Sequence, residues 1–167
     1  MKKQEAYTLS IGLLAVVDTY LTATIFPVPV WVTFIAWASF FIVGGGVSGL
    51  VRSVASNLAG LVISSLVLLG IATFSEAPLF IAVLVGIGSA AMVQAAKVPL
   101  LSILPAIVWG FASTVGTTAV GGKPMTTPGF DNPALIAAAA LITGALFGFI
   151  SERLGDALTS KPAPQIA

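Results

Sequence analysis

Apolar residues fall into six long blocks, at residues 6–26, 29–43, 57–74, 78–96, 98–117 and 133–150, separated by short clusters rich in Gly, Pro, Ser and charge. Within a block the apolar positions run almost unbroken, with neither the alternation of a strand nor a narrow amphipathic stripe. An α-helix rises about 1.5 Å per residue, so about 20 mostly apolar residues cross a bilayer core of roughly 30 Å. The pattern predicts an all-α polytopic membrane protein of six transmembrane helices. Pro27, Pro29, Pro78 and Pro133 stand at block starts, where a missing N–H does no harm. Pro105 falls inside the fifth block and is expected to kink it. The second block is short, and the glycines from Gly44 to Gly49 lead from it into Arg52 and Ser53. That stretch reads either as a tight turn or as a broken, re-entrant piece lining a cavity.

Composition strengthens this picture. Of 167 residues, 57% are hydrophobic and only 8% charged, against about 25% charged in a soluble domain. The length suggests one domain, residues 1–154, with a cytoplasmic tail at 155–167 whose end, from Ser160, is expected to lack fixed structure. Met1-Lys2-Lys3 before an apolar run resembles a signal peptide, but Asp18 interrupts it and no small-x-small cleavage site follows, so a retained first helix is expected.

Charge then orients the chain. Six crossings with the N-terminus inside put Lys2, Lys3, Arg52, Lys97, Arg153 and Lys161 in the cytoplasm and only Lys123 outside. Single, scattered basic residues exclude nucleic acid as a partner. With no Cys and no His, the usual ligands of zinc, haem and iron–sulfur centres are missing, as are Cys–His and Ser–His dyads. No metal, no cofactor and no enzymatic activity are expected.

The second and fifth blocks share a pattern: Val28-Pro29, Trp37 and Val43-Gly44 against Val98-Pro99, Trp109 and Val115-Gly116, with Asn57 and Asn132 following. Three helices per unit would make this a 3+3 inverted repeat, an arrangement that places a solute path near the midplane. Asp18, twelve or so residues into the first helix, is the sharpest polar feature. A charge near the bilayer centre costs about 2.5–3.5 kcal/mol, so it is expected to face the bundle interior, with Arg52 or Lys97 as possible partners. Tyr20, Trp37, Arg52, Asn57, Gln94, Trp109 and Thr114 join it as candidate path residues. Trp37 and Trp109 read equally as packing, and the hydroxyl of Thr114 as a bond back to its own helix. Gly45, Gly49, Gly144 and Gly148 carry the G-x-x-x-G spacing of close helix contact, within one chain or between copies.

Two stretches have a familiar look: Trp37 to Leu50, ending Gly45-Gly46-Val47-Ser48-Gly49-Leu50, and Gln94 to Gly116, with Lys97, Ser102 and Pro105. They resemble domain-of-unknown-function family 1097, small bacterial inner-membrane proteins. The resemblance implies a bacterial plasma-membrane location and transfers no functional residue; the longer outer loop and Asp18 depart from its pattern. The functional expectation is a homo-oligomeric channel or facilitator for a small neutral polar solute such as urea, an amide or a polyol. A proton-coupled transporter using Asp18, or a non-transporting scaffold subunit, are the alternatives. The expected partners are the lipid bilayer, the solute and further copies of the chain.

Overall fold

The computed structural model describes residues 1–160, which form six α-helices and no strand. They are α1 (Lys3–Thr24), α2 (Val30–Ile42), α3 (Gly46–Phe74), α4 (Pro78–Ala95), α5 (Leu104–Gly121) and α6 (Pro133–Leu158). Short 3₁₀ turns occupy Pro99–Leu101 and Gly129–Asp131. All helices but α2 are long and apolar enough to cross a membrane. Residues 161–167, the end of the expected tail, lie outside the described residues.

Three boundaries differ from the sequence expectation. The third helix starts at Gly46, not residue 57, because the polar residues that interrupt the apolar block turn inward: Ser53, Ser56 and Asn57 are all buried. The Gly44–Ser53 stretch is therefore a tight turn followed by the first turns of α3. Chain reversal takes only Val43–Gly45, where Gly44, Gly45 and Gly46 hold φ values of 109°, 68° and 64°, a left-handed run that L-residues resist. The fifth helix starts at Leu104, so Pro105 sits in its first turn and causes no kink. The sixth runs on to Leu158, beyond residue 150, since Ser151 and Gly155 still face the bundle. Residues 155–158, expected in the tail, belong to it.

One end of the bundle, here called proximal, gathers Met1, Gly45, Glu152 and Ser160. The Met1 amino group donates to Ser160 Oγ, and the Gly46 N–H donates to Glu152 at 2.7 Å. The distal end holds Pro27–Pro29, the Lys123–Asp131 ion pair and the start of α6. The closest-packed neighbours are α3 with α5 and α2 with α6. Adding α1, which lies on α6, and α4, which lies on α3, gives two groups: α1, α2 and α6 against α3, α4 and α5.

Glycines set the approach inside each group. A Cβ at Gly144 would overlap the Thr33 carbonyl, one at Gly60 the Ile107 carbonyl, and one at Gly110 the Asn57 carbonyl. Backbones that close leave little space between paired helices. The polarity is inside-out relative to a soluble protein. Val16, Leu66, Leu79 and Ile87 are exposed, while Asp18, Thr33, Ser39, Asn57 and Thr114 are buried.

Candidate functional site

At the distal end, between the two groups, lies a vestibule of about 320 Å³. Thr22, Val28, Pro29 and Ile136 line it from one group, and Thr117 and Val120 from the other. Lys123 Nζ and Asp131 Oδ1, 3.1 Å apart, span its rim and are well exposed. The loop between them is pinned by Asn132, whose side-chain amide donates to the Met125 and Thr127 carbonyls and whose Oδ1 caps α6 by accepting from Ala134 N–H. Pro29 at the N-cap of α2 and Pro133 in the first turn of α6 also border it.

One helical turn below Thr22, Asp18 is completely buried. Its partner is neither Arg52 nor Lys97 but Thr33 on α2, whose Oγ1 contacts Asp18 Oδ2. The same hydroxyl lies 2.7 Å from the Val30 carbonyl, and Asp18 Oδ1 has no partner. A hydroxyl carries one proton and cannot serve both oxygens fully. Thr33 Oγ1 is the donor in its contact with Asp18 Oδ2, and it shares its single proton with the Val30 carbonyl of its own helix. Among the described residues no Lys or Arg pairs with Asp18, whereas Arg52 donates to Ser102 Oγ at 2.7 Å near the proximal end.

A second polar cluster occupies the proximal half. Ser53 Oγ donates to Ser39 Oγ at 2.9 Å, and Ser39 Oγ donates to Asn57 Oδ1 at 3.2 Å. These bonds join α2 to α3, hence one group to the other. Ser56 Oγ and Ser113 Oγ are buried without a partner, so small polar groups face the core with bonding capacity to spare.

Of the residues named from sequence, the interior collects Asp18, Trp37, Asn57 and Thr114. Trp37 stacks on Phe34 and Phe147 and donates from Nε1 to Ser151 Oγ at 2.9 Å, which makes it a fixed element of α6 packing. Thr114 bonds back to the Gly110 carbonyl at 2.9 Å. Arg52 and Trp109 are half-buried. Tyr20 and Gln94 are exposed on the outer faces of α1 and α4 and line nothing inside; neither helix has a polar neighbour on that side to hold them. Three of the four glycines are tight contacts within this chain, Gly45 on Glu152, Gly144 on Thr33 and Gly148 on the Phe40 ring, and Gly49 makes ordinary contact with the Gly44 and Phe40 backbone. Sequence reasoning passed over Thr33, Ser39, Ser53, Ser113 and Glu152. The spacing of the buried residues of α3, from Gly49 through Ser53, Ser56 and Asn57 to Gly60, is a helical-face signal that finds the two serines on α3.

Five helices fit to cross a membrane, small polar groups inside and bulky apolar ones outside define the class: a helical bundle of membrane-protein character. Within that class the chain belongs to the family described as "Protein of unknown function (DUF1097)", whose model matches residues 8–156. No curated protein and no solved structure matches it.

Proposed function

We propose that this chain is a multi-pass bacterial inner-membrane transport protein for a small, neutral, polar solute of the urea, amide or polyol class, with both termini cytoplasmic. The observation that carries the reading is the distal vestibule, which opens between the two helix groups and is lined by Thr22, one helical turn from the buried Asp18–Thr33 pair. Its only lining charges, Lys123 and Asp131, neutralise each other. Hydroxyls remain as the polar partners within, and these suit an uncharged solute. The charge distribution fits the orientation: Lys2, Lys3, Arg52, Lys97 and Arg153 fall toward the proximal end and Lys123 at the distal one.

The arrangement in two helix groups favours a carrier that alternates between two states over a permanently open pore. A 3+3 inverted repeat supports the same mechanism. A shift of 74 positions carries the buried residues Val32, Thr33, Ala36, Ser39 and Phe40 of α2 onto Ala106, Ile107, Gly110, Ser113 and Thr114, all buried on α5. A shift of 84 carries every buried residue of α3, from Gly49 to Val67, onto a buried residue of α6, from Pro133 to Ser151. Contacts follow the same registers: Gly60 meets Ile107 as Gly144 meets Thr33, and, with a shift of 78 carrying α1 onto α4, Gly88 meets Val67 as Ser10 meets Ser151. Exchanging α1, α2 and α3 with α4, α5 and α6 interchanges the two helix groups.

A second reading, proton coupling, is favoured by the complete burial of Asp18, which has Thr33 as its side-chain partner and, among the described residues, no Lys or Arg paired with it. Stopped-flow light scattering on proteoliposomes, with urea, acetamide and glycerol, each with and without a pH gradient, tests both readings. Flux of one solute above empty liposomes is expected. If that flux follows the gradient, Asp18→Asn uncouples it; if it ignores the gradient in wild type, proton coupling is wrong. Absence of flux for every small neutral solute, with folded protein, leaves the scaffold role instead.

A further inference from the structure

The transport reading above leaves open where the solute leaves, and the repeat registers answer it. We infer that a second vestibule opens at the proximal end, between the ends of α2 and the starts of α3 and α5, and that the Glu152–Gly46 hydrogen bond holds it shut in this structure. The inference rests on the transport reading and specifies its second state.

Consider what the vestibule lining becomes under the exchange. Thr117 on α5 corresponds to Val43 at the end of α2, Pro133 to Gly49, and Ile136 to Arg52. Val28 and Pro29, before α2, correspond to Ser102 and Ile103, before α5. The pairing survives in detail: Val28 and Ile136 line one wall together at the distal end, and Ser102 and Arg52 are hydrogen-bonded at the proximal end. The same architecture is therefore present twice, once gaping and once closed. At the closed end a Cβ on Gly49 would lie 3.4 Å from the Gly44 carbonyl carbon and 3.5 Å from the Phe40 oxygen, ordinary contact, so the end of α2 rests directly on the start of α3. Val43 is 5% exposed there.

What holds this end together is polar and spans the two groups. Glu152 on α6 accepts from Gly46 N–H at 2.7 Å, and Ser53 on α3 donates to Ser39 on α2. Of the three turn glycines only Gly46 aims its N–H at the carboxylate, while the Gly44 and Gly45 N–H groups return to the Phe41 and Phe40 carbonyls, and the Glu152 carboxylate sits against Gly45 where a Cβ would be. At the distal end, among the described residues, the only comparable link is the exposed Lys123–Asp131 pair, weak by position and by solvent screening. A charge-assisted bond to part-buried backbone is the stronger of the two, so closure at the proximal end and opening at the distal end follow from the same imbalance.

The chain has no cysteine, so single-cysteine labelling starts from a silent background. In oriented vesicles, a membrane-impermeant maleimide should modify Thr117→Cys from the outer face and leave Val43→Cys unreactive from the inner face. Adding Glu152→Ala should raise the Val43→Cys rate on the order of tenfold, one charge-assisted hydrogen bond's worth, and lower the Thr117→Cys rate. An unchanged Val43→Cys rate overturns the inference. So does a rise at both positions together, which marks local fraying and not exchange. Should the Glu152→Ala protein fail to assemble, Ser53→Ala removes the other link between the groups and must shift both rates in the same directions. Flux is read separately: labelling that exchanges without flux sinks the transport reading, and flux without exchange sinks this one.

Discussion

Gly60 and Gly144 do at single positions what the rest of the sequence does by composition. Each lets a helix backbone rest on a carbonyl of its neighbour, Ile107 and Thr33 respectively, where van der Waals contact replaces the hydrophobic driving force that lipid removes. Alanine at either position forces the backbones apart and is expected to cost about 2 kcal/mol, in the usual range for overpacking. Gly12 has nothing within 4 Å of its missing Cβ, and Gly12→Ala is expected to stabilise by about 0.5–1 kcal/mol through helix propensity alone. Thermal unfolding in detergent should therefore move in opposite directions for the two kinds of glycine, and a uniform loss would refute the packing argument. Asp18 was legible as an interior residue because a lone carboxylate in an apolar run has nowhere else to go. Its partner was not, since Thr33 lies fifteen residues away on another helix and threonine in an apolar segment carries no signature of its own. Tyr20 and Gln94 misled for the mirror reason: a polar atom on an apolar helix does not say which way it faces.

At the scale of elements, the apolar blocks located all six helices, and charge or glycine placed most ends within a few positions. The errors share one cause. Hydropathy treats Ser53, Ser56 and Asn57 as the edge of a block, whereas helix packing buries them and the helix runs through. The same blindness shortened the sixth helix at the polar residues Ser151 to Arg153. The α2–α3 turn is the element most open to direct test. Gly45 combines a φ of 68° with the Glu152 carboxylate at the place of its Cβ, so Gly45→Ala meets two penalties, backbone strain of about 1–2 kcal/mol and a clash. Only the clash depends on Glu152. The loss of stability from Gly45→Ala should be smaller in a Glu152→Ala background, and a double-mutant cycle that shows strict additivity would remove the latch from the account.

For the whole molecule, the proposed inverted repeat has only a drifting match of Trp, Val and Gly positions behind it in the sequence. Its alignment through the two tryptophans pairs residues 37 and 109, while burial pairs Thr33 with Ile107 and so shifts the register by two. Side-chain identity and side-chain burial need not agree in a bundle built from few residue types, and burial is what packing preserves. The polar clusters break the symmetry: Asp18 and Thr33 lie on the distal side, Ser39, Ser53 and Asn57 on the proximal side. In the proposed mechanism, the unlike polar groups behind the two ends supply the asymmetry a carrier needs. The membrane orientation argued from charge is checked by the same impermeant reagents: a cysteine at Lys2 should label only from the cytoplasmic face, one at Lys123 only from the outside.

The central claim is that solute enters through the distal vestibule, and blocking that vestibule tests it most directly. Thr117→Cys protein in proteoliposomes should pass one small neutral solute faster than empty liposomes, and a bulky impermeant thiol reagent should return that flux to the empty-liposome level. Phe130→Cys, at a position 95% exposed outside the vestibule, should be labelled equally and keep its flux. Flux that survives full modification at Thr117→Cys would contradict the account.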